Sequence, residues 1–267
     1  MSVDTAAVET QYEDDRNLKA RIALHARFST NSYGWYRWVF DHLALPERAR
    51  TVELGCGSGD LWVSSRDRVP SNWMITLSDF SIGMVRKAKD SLDGAPQDLA
   101  FMVIDAQAIP VPDGCLDAIL ANHMLYHVAD RDHALQEMHR ALKSHGCLYA
   151  TTVGETHMKE LWDLIEPFVP DIHDRTGAVS AGFTLENGTA QLSQFFTEVN
   201  RYDYPDDLAV TEVKPIIDYL RSSTTMTNTE LSPNQWASIR RTVAAHIELK
   251  GAFHIHKASG LFVACYA

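Results

Sequence analysis

Hydrophobic and polar positions follow two different periods along the first half of the chain. Residues 18–45 repeat apolar and aromatic side chains at helical spacing in two segments, which polar residues near position 30 separate. Short β-type runs then follow at 50–54, 73–79, 100–105, 116–122 and 147–153. Helical stretches are predicted between most of these runs, at 60–68, 81–92 and 130–142. This alternation predicts an α/β fold whose parallel sheet carries helices on both faces.

The second half of the chain has a weaker pattern. It predicts helices at 155–168, 188–196, 213–222 and 234–250, a loop at 170–182 and a strand at 197–204. Two further β-type runs, 253–257 and 261–266, flank the turn-forming residues Ala258, Ser259 and Gly260. We therefore expect residues 253–266 to form an antiparallel hairpin with glycine at its turn.

A glycine loop connects the first predicted strand to the first helix of the sheet. Its sequence is Glu53-Leu54-Gly55-Cys56-Gly57-Ser58-Gly59. Small residues there allow backbone N–H groups to face a ligand without an obstructing Cβ. The glycine spacing differs by one residue from the dinucleotide fingerprint, although Asp79 ends the next strand as an acid does in nucleotide-binding folds. The loop indicates a nucleotide-type cofactor site, and a plain glycine turn is the alternative.

Acidic residues then follow the loop in a fixed order. Glu53 precedes the loop, Asp79 follows the second strand, and Asp105-Ala106-Gln107 follows the third. This order, with the segment 122–128 after strand four, resembles the class I S-adenosylmethionine-dependent methyltransferases in their small-molecule, ubiquinone-biosynthesis-like branch (methyltransferase type 11). The resemblance covers about residues 51–153.

The resemblance implies a Rossmann-like, doubly wound fold with a mostly parallel seven-stranded sheet. It further implies four regions, namely an N-terminal helical lid (1–45), a cofactor-binding core (46–154), a helical cap insertion for the substrate (155–196) and a C-terminal completion of the sheet (197–267).

The resemblance also implies S-adenosylmethionine as cofactor and assigns roles to residues. Gly55, Cys56 and Gly57 would line the methionine part, and Glu53 would support its ammonium. Asp79 would accept the ribose hydroxyls, because a carboxylate is a strong acceptor for two neighbouring hydroxyls. Phe80 would lie against adenine, and Asp105, Ala106 and Gln107 would reach its edge. The implied cofactor-binding set is Glu53, Gly55, Cys56, Gly57, Gly59, Asp79, Phe80, Met84, Asp105, Ala106, Gln107 and Asn122. As an alternative, Asp79 caps the following helix and Asp105 belongs to a turn.

Methyl transfer is an in-line displacement that requires alignment and exclusion of water, and a base only when the acceptor carries a proton. His123 and His127 follow strand four, where the methyl group would point, and Tyr33 lies in the lid. These three are the catalytic candidates, with packing or substrate shaping as the alternative. No metal site is predicted, because the other histidines nearby recur every six residues and would scatter around a helix.

Composition limits the partners. The 24 basic and 35 acidic residues give a formal charge of −11, which disfavours nucleic acid as a ligand. Four widely spaced cysteines without a CxxC pair predict neither a disulfide framework nor a zinc knuckle. With no secretion signal or membrane-spanning run, we expect a cytoplasmic protein without membrane contact. Its predicted partner is a small-molecule methyl acceptor, and a homo-oligomer is compatible with the sequence.

Two other functions fit parts of the pattern. A nicotinamide-dependent oxidoreductase would share the strand, loop and helix, but the glycine spacing departs from its fingerprint. A protein that binds S-adenosylmethionine without transferring methyl groups would share every motif described above. The main hypothesis is methyl transfer to a small molecule, with secondary metabolism as the expected setting.

Overall fold

A seven-stranded sheet forms the centre of the molecule. The computed structural model describes residues 15–95, 98–226 and 229–266. Its strands are β1 (Arg50–Leu54), β2 (Met74–Asp79), β3 (Asp98–Val103), β4 (Leu116–Asn122), β5 (Leu142–Val153), β6 (Glu198–Asp203), β7 (Asp207–Val210), β8 (Phe253–His256) and β9 (Ser259–Cys265). The central sheet has the order β3-β2-β1-β4-β5-β9-β6. The first five strands in that order are parallel, and β9 runs antiparallel to both β5 and β6. The predicted α/β class and mostly parallel sheet are confirmed.

Helices cover both faces of this sheet. Those following the first strands are α3 (Asp60–Ser64), α4 (Ile82–Ser91) and α5 (Arg131–Ala141); α1 and α2 precede the sheet and are given below. Strand β4 is apolar at successive positions, and its neighbours Ile119 and Leu120 are both fully buried. Ile119 packs in one apolar cluster with Leu135 of α5, whereas Leu120 packs in another with Leu61 of α3. Burial on both faces is the reason why such a strand lacks polar alternation.

The N-terminal helices connect the sheet to the rest of the chain. They are α1 (Asp15–Phe28) and α2 (Trp35–Asp41). Helix α2 contacts α3, and its Phe40 is buried in the same apolar cluster as Trp62. Leu24 of α1 is buried instead in a separate apolar cluster with Ile217, outside the sheet. The two helices therefore pack on different parts of the molecule.

The second half of the chain departs from the predicted elements. Its helices are α6 (Lys159–Asp163), α7 (Ile172–Ser180), α8 (Gly188–Leu192), α9 (Val213–Ser222) and α10 (Pro233–Lys250). Helix α6 is shorter than the predicted 155–168. Helix α7 occupies most of the predicted loop at 170–182. Ile172 at its start is fully buried in the apolar cluster that also contains Leu24 and Ile217. Tertiary burial thus outweighs the weak local helical pattern there.

The predicted C-terminal hairpin is wrong. Strand β8 pairs with β7 in a separate two-stranded sheet, whereas β9 lies in the central sheet between β5 and β6. Gly260 lies inside β9 and not in a turn. A Cβ there would come within 2.7 Å of the Tyr202 carbonyl oxygen and 2.9 Å of Leu185. This glycine therefore allows close packing within the sheet. In the sequence, a glycine needed for packing looks the same as a glycine needed for a turn.

A disulfide joins two strands that lie next to each other in the sheet. Cys147 of β5 faces Cys265 of β9 in register, and the two are bonded with a Cα–Cα distance of 4.3 Å. The sequence predicted no disulfide framework, because these cysteines are 118 residues apart and become neighbours only through the return of β9. Cys56 and Cys115 are free thiols. Separately, none of the helices in the described ranges is long and apolar enough to cross a membrane.

Candidate functional site

A cavity of about 560 Å³ opens where the parallel strands β1, β2 and β4 end. In open parallel sheets this carboxyl edge is the usual place for a ligand. The predicted site residues that line it are Glu53, Gly55, Cys56, Gly57, Asp79, Phe80, Met84, Asp105, Ala106, Gln107, Asn122, His123 and His127. Gly59 and Tyr33 are the two predicted residues that do not. The fold thus brings together residues spread over more than 70 positions of the sequence.

Glu53 at the end of β1 is an almost fully buried acid, 2% exposed. One carboxylate oxygen accepts a hydrogen bond from the Trp62 indole N–H at 2.6 Å, and the other from the Asn122 side-chain amide at 2.8 Å. Burial raises the pKa of Glu53 to about 7, although both hydrogen bonds oppose the shift. A cationic group at this carboxylate would offset the cost of its buried charge.

The glycines of the loop serve two different purposes. Gly55 and Gly57 have φ values of 67° and 54°, which residues with a Cβ rarely adopt. A Cβ on Gly55 would lie 2.7 Å from the Cβ of Met124, so this glycine lets the segment after β4 approach the loop. Gly59 faces away from the cavity, and a Cβ on it would lie 3.1 Å from Leu92. Its predicted cofactor contact is therefore corrected to a packing role between the loop and α4.

Asp79 at the end of β2 is held by backbone groups. One oxygen accepts the Gly57 N–H at 3.0 Å and the other accepts the Ser81 N–H at 2.9 Å. Burial raises the pKa of Asp79, and these hydrogen bonds oppose that effect. A carboxylate has about four lone-pair positions, so each oxygen keeps acceptor capacity toward the cavity. Beside it, Phe80 is 55% exposed, an unusual exposure for a large apolar ring, and offers a flat surface at the mouth.

The third acid is tied to its own loop. Asp105 accepts the backbone N–H of Gln107 at 2.9 Å and its side-chain amide at 3.1 Å. The side-chain oxygen of Gln107 in turn accepts the Asp130 N–H at 3.1 Å. The amide of Gln107 is therefore engaged within the protein, although the residue still lines the cavity.

His123 and His127 form the cavity wall after β4. His123 is not a glycine and yet has a φ of 50°, a strained backbone of the kind that concentrates at functional sites. Its N–H is held by Thr151 of β5, at 3.2 Å from the carbonyl oxygen and 3.0 Å from the hydroxyl. Burial and the nearby Lys257 charge lower the pKa of His123 to about 4, and burial lowers that of His127. Both imidazoles are therefore neutral near pH 7 and able to accept a proton.

Tyr33 lies outside the cavity, which corrects its predicted catalytic place. Its hydroxyl donates to Asp41 at 2.6 Å and accepts from Arg68 at 3.4 Å, and its side chain is 48% exposed. Tyr33 belongs to the turn before α2 and is not among the residues that line the cavity. Tyr36, one helical turn later, and Ile22 of α1 line the cavity instead.

Two further features were missed or not expected from the sequence. The first is the hydrogen bond from Trp62 to Glu53. It could have been predicted, because a buried acid needs a hydrogen-bond donor and Trp62 lies in the helix that directly follows the glycine loop. Separately, one group of possible metal ligands occurs among the described residues, formed by Asp163, Glu166 and His173. It does not line the cavity, and both acids are exposed.

The cavity fits S-adenosylmethionine by its own donor and acceptor groups. A buried carboxylate suits an ammonium or sulfonium cation, and Asp79 suits a diol. The exposed ring of Phe80 and the apolar Met84 suit a flat base. Gly55 and Gly57 leave open backbone beside them.

Comparison with known proteins shows that the core of the chain is similar to methyltransferases. Residues 52–150 match the model of a methyltransferase domain. Over 135 residues, 49% of this chain, the sequence is 32% identical to the ubiquinone/menaquinone biosynthesis C-methyltransferase UbiE of Methylococcus capsulatus. A UbiE of Pectobacterium carotovorum is 26% identical over 149 residues. The chain spans about half the length of the curated relatives it matches, 54% and 59% of these two.

Solved structures share the fold over nearly the whole chain. The cyclase SpnF superposes with a TM-score of 0.59 at 15% identity, covering 98% of this chain and 96% of that one. The phosphoethanolamine N-methyltransferase 2 of Haemonchus contortus, in complex with phosphomonomethylethanolamine and S-adenosylhomocysteine, gives 0.60 at 13% identity, covering 97% of this chain and 59% of that one. At such identities the likeness concerns the fold alone.

Proposed function

We propose that this chain, whose residues 52–150 match the model of a methyltransferase domain, is a class I S-adenosylmethionine-dependent methyltransferase that transfers a methyl group to a small organic acceptor. One observation carries the proposal. Three acids at successive strand ends, Glu53, Asp79 and Asp105, line the same cavity, and His123 forms its wall. In this proposal the three acids bind the cofactor, and His123 is the neutral base beside it.

Each residue has a proposed part in holding the cofactor. Glu53, kept in place by Trp62 and Asn122, faces the ammonium group. Asp79 accepts the ribose hydroxyls with the lone pairs that its backbone hydrogen bonds leave free. The remaining lining residues divide between the methionine part, for Gly55, Cys56 and Gly57, and adenine, for Phe80, Met84, Asp105, Ala106 and Gln107.

When bound, S-adenosylmethionine supplies an electrophilic methyl group on a sulfonium sulfur. The protein then has to align the acceptor and keep water out. Tyr36 and Ile22 from the N-terminal helices cover the cavity beside the histidines. His123 would accept the proton that the acceptor's heteroatom loses on methylation, and it would thereby act as the general base. His127 is the second candidate for this base.

The acceptor is proposed to be a small molecule. Regions 1–45 and 155–196 are proposed to shape the acceptor side, as lid and cap. Secondary metabolism in the cytoplasm is the proposed setting, with neither nucleic acid nor a membrane as partner. The acidic balance of the chain supports the exclusion of nucleic acid.

Calorimetry with S-adenosylmethionine, S-adenosylhomocysteine and NAD tests the cofactor. We expect both sulfur compounds to bind and NAD not to bind; binding of NAD alone would overturn the proposal. A screen of small-molecule extracts with a radiolabelled methyl donor then tests transfer. If the donor binds but no extract fraction ever takes up label, the chain is a binding protein for this cofactor, which is the alternative that the sequence left open.

A further inference from the structure

A buried ion pair lies behind the histidine wall, outside the cavity itself. It joins Lys257, between β8 and β9, to Asp206, between β6 and β7. The two side chains are 9% and 1% exposed, which makes this the most buried ion pair in the described part of the chain. A buried pair costs desolvation energy on both partners, so it rarely persists without further hydrogen bonds.

Asp206 uses its carboxylate to hold the connection between α1 and α2. We call residues 29–31 the lid joint. The Ser29 hydroxyl donates to Asp206 at 2.6 Å, the Asn31 N–H at 3.0 Å and the Thr30 hydroxyl at 3.3 Å. The neighbouring backbone adds a hydrogen bond from the Thr30 N–H to the Asp207 carbonyl at 2.9 Å. The lid joint is thus fastened to the loop after β6 at several points.

Lys257 faces the opposite side of the pair, toward the cavity wall. Its ammonium lies 5.7 Å from the centroid of the Tyr204 ring. The Tyr204 ring contacts Trp35 edge-on at 5.2 Å, and Trp35 lies 5.2 Å from the His123 ring. Trp35 is the first residue of α2 and lies four positions after Asn31, the last residue of the lid joint. The buried pair therefore reaches His123 through two aromatic rings and through the lid.

Three partly buried histidines interact electrostatically with this cation. We call His25 of α1, His123 and His157 the histidine group. Burial is the main cause that lowers the pKa of His25 and of His123, each to about 4, and that of His157 well below its usual value. The Lys257 charge contributes to the lowering in all three.

The charged and titratable groups that act on His123 come from two elements. They are Lys257, next to β9, and His127, in the turn after β4, and both lower its pKa. His25 and His157 are themselves influenced by His123, so the group is mutually coupled. Asp206 acts on His25, where it opposes the effect of Lys257. The anion of the pair thus binds the lid joint, and the cation lies over the Tyr204 ring.

On the basis of the proposed function, we propose that Lys257 and Asp206 are positioning residues for methyl transfer. Asp206 fastens the lid joint, which places Trp35 against His123. Lys257 keeps a positive charge near the histidine group, which extends to lower pH the range in which His123 is a neutral imidazole that can take the acceptor's proton. The proton that leaves the acceptor's heteroatom then goes to His123, as in the step given above. Neither residue touches the acceptor.

The first test is an NMR titration of the histidine side chains in the ligand-free protein, with the His123 signal assigned by His123→Gln. We expect the His123 midpoint to lie well below 6.5 in the wild type. In Lys257→Met it should rise by about one pH unit, since one nearby charge has been removed. Lys257→Arg should restore the wild-type value. Lys143→Met, which removes a cation paired with Asp117 on the exposed side of the molecule, should shift nothing.

A wild-type His123 midpoint at or above 6.5 overturns the proposal, and so does an unchanged midpoint in Lys257→Met. Because Lys257→Met leaves a buried carboxylate without its partner, that variant can fail to fold. The double variant Lys257→Met with Asp206→Asn removes both charges and answers the same question. The wild-type midpoint remains decisive in either case.

Hydrogen exchange tests the second part. In Asp206→Asn the Asn31 amide should exchange at least about tenfold faster than in the wild type, because its charged acceptor is lost. Asp218→Asn, at an exposed pair with Lys214, is the matched control. Equal exchange in both variants would show that Asp206 does not hold the lid joint.

A third measurement uses turnover. In Lys257→Met the acidic limb of the pH–rate profile should move to higher pH, whereas a merely structural residue would lower the rate equally at every pH. The titration and the exchange need no methyl transfer. A chain that binds the donor without transferring methyl groups would therefore refute the proposed function while these two measurements still decide the role of the ion pair.

Discussion

The cavity has two ends that are built in different ways. The donor end consists of Glu53, the glycines Gly55 and Gly57, and Asp79, and each acid there is fixed by hydrogen bonds of 2.6–3.0 Å. The residues that we propose to face the acceptor are Ile22, Tyr36, Tyr126 and the two histidines, which line the same cavity; we call them the acceptor end. There, the His123 ring lies 5.2 Å from the ring of Trp35 in α2.

This difference indicates how the site divides its work. Positions at the donor end are set by the backbone of one parallel sheet, which every member of such a fold shares. Positions at the acceptor end depend on how separate helices pack over that sheet. We therefore expect substitutions at the donor end to act strongly on stability and on cofactor affinity. At the acceptor end, effects should be smaller and should depend on the contacts of each side chain.

The largest expected effect is that of Gly55→Ala. A new Cβ would overlap Met124, and φ of 67° disfavours any residue but glycine. Overpacking costs about 1–3 kcal/mol and the left-handed backbone about 1–2 kcal/mol. Urea unfolding should show the sum as a lower free energy of unfolding. Gly57→Ala is the matched control, because φ is also positive there but a Cβ meets nothing within 4 Å. Equal losses in both would disprove the importance of the Met124 contact.

Asp79→Ala should weaken cofactor binding next most. Loss of a charged acceptor costs about 1.5–3 kcal/mol, which corresponds to roughly 10–150-fold in affinity. Calorimetry with S-adenosylhomocysteine measures it. Asp117→Ala is the control, since that acid accepts hydrogen bonds from Arg50 and Lys143 and does not line the cavity. Unchanged affinity in Asp79→Ala would identify the residue as a turn-forming acid without a ligand.

The pH dependence of donor binding should follow Glu53. Its pKa of about 7 in the ligand-free protein means that it holds a proton below pH 7, whereas a cationic ligand prefers the carboxylate. Affinity should therefore rise with pH, by up to about tenfold per pH unit below 7. In Glu53→Gln this dependence should vanish. A pH-independent affinity in the wild type would contradict the assignment.

The same group links stability to pH in the opposite direction. Because the folded-state pKa of Glu53 lies above the ordinary value of 4.5, the folded protein binds this proton more tightly than the unfolded chain. Its contribution to the free energy of unfolding is complete below about pH 4.5 and is lost as pH rises through 7. Comparing the wild type with Glu53→Gln between pH 5 and 8 isolates it.

The smallest effect is expected at Tyr33. Tyr33→Phe removes a hydroxyl that faces Asp41 and Arg68 at the surface, where solvent screens such contacts and they contribute little to stability. Donor affinity and turnover should stay at the wild-type level. Tyr36→Ala, which opens the cavity wall, should instead raise KM for the acceptor. If Tyr33→Phe reduced turnover more than Tyr36→Ala, the acceptor end would have to be redrawn around the turn before α2.

The same contrast explains which parts of the molecule could be predicted from the sequence. Glu53, Asp79 and Asp105 each lie within two residues of the end of a strand. Parallel strands bring their carboxyl ends to one edge, so local patterns were enough to place these acids together. The predicted cofactor contact of Gly59 does not appear in the cavity lining, because a loop glycine can serve close packing as well as ligand approach. Its neighbour Leu92 lies at the far end of α4, and no local pattern shows that contact.

The second half of the chain was harder to predict for a similar reason. Strand β9 leaves β8 and inserts between β5 and β6, although the sequence of both runs suits a hairpin. Only long-range pairing decides between these arrangements. The same holds for Tyr33 and Tyr36, where a shift of one helical turn separates a surface hydroxyl from the cavity wall.

The bond between Cys147 and Cys265 has a further consequence for how such a molecule could be altered. It closes a covalent ring that contains α6 to α10 and both strands of the small sheet, while β1 to β4 stay outside. The two ends of this ring are 4.3 Å apart at their Cα atoms. Because the ring also contains β6, β9 and most of β5 of the central sheet, a graft that leaves the donor site unchanged would keep these three strands and exchange only the helices and small-sheet strands between them.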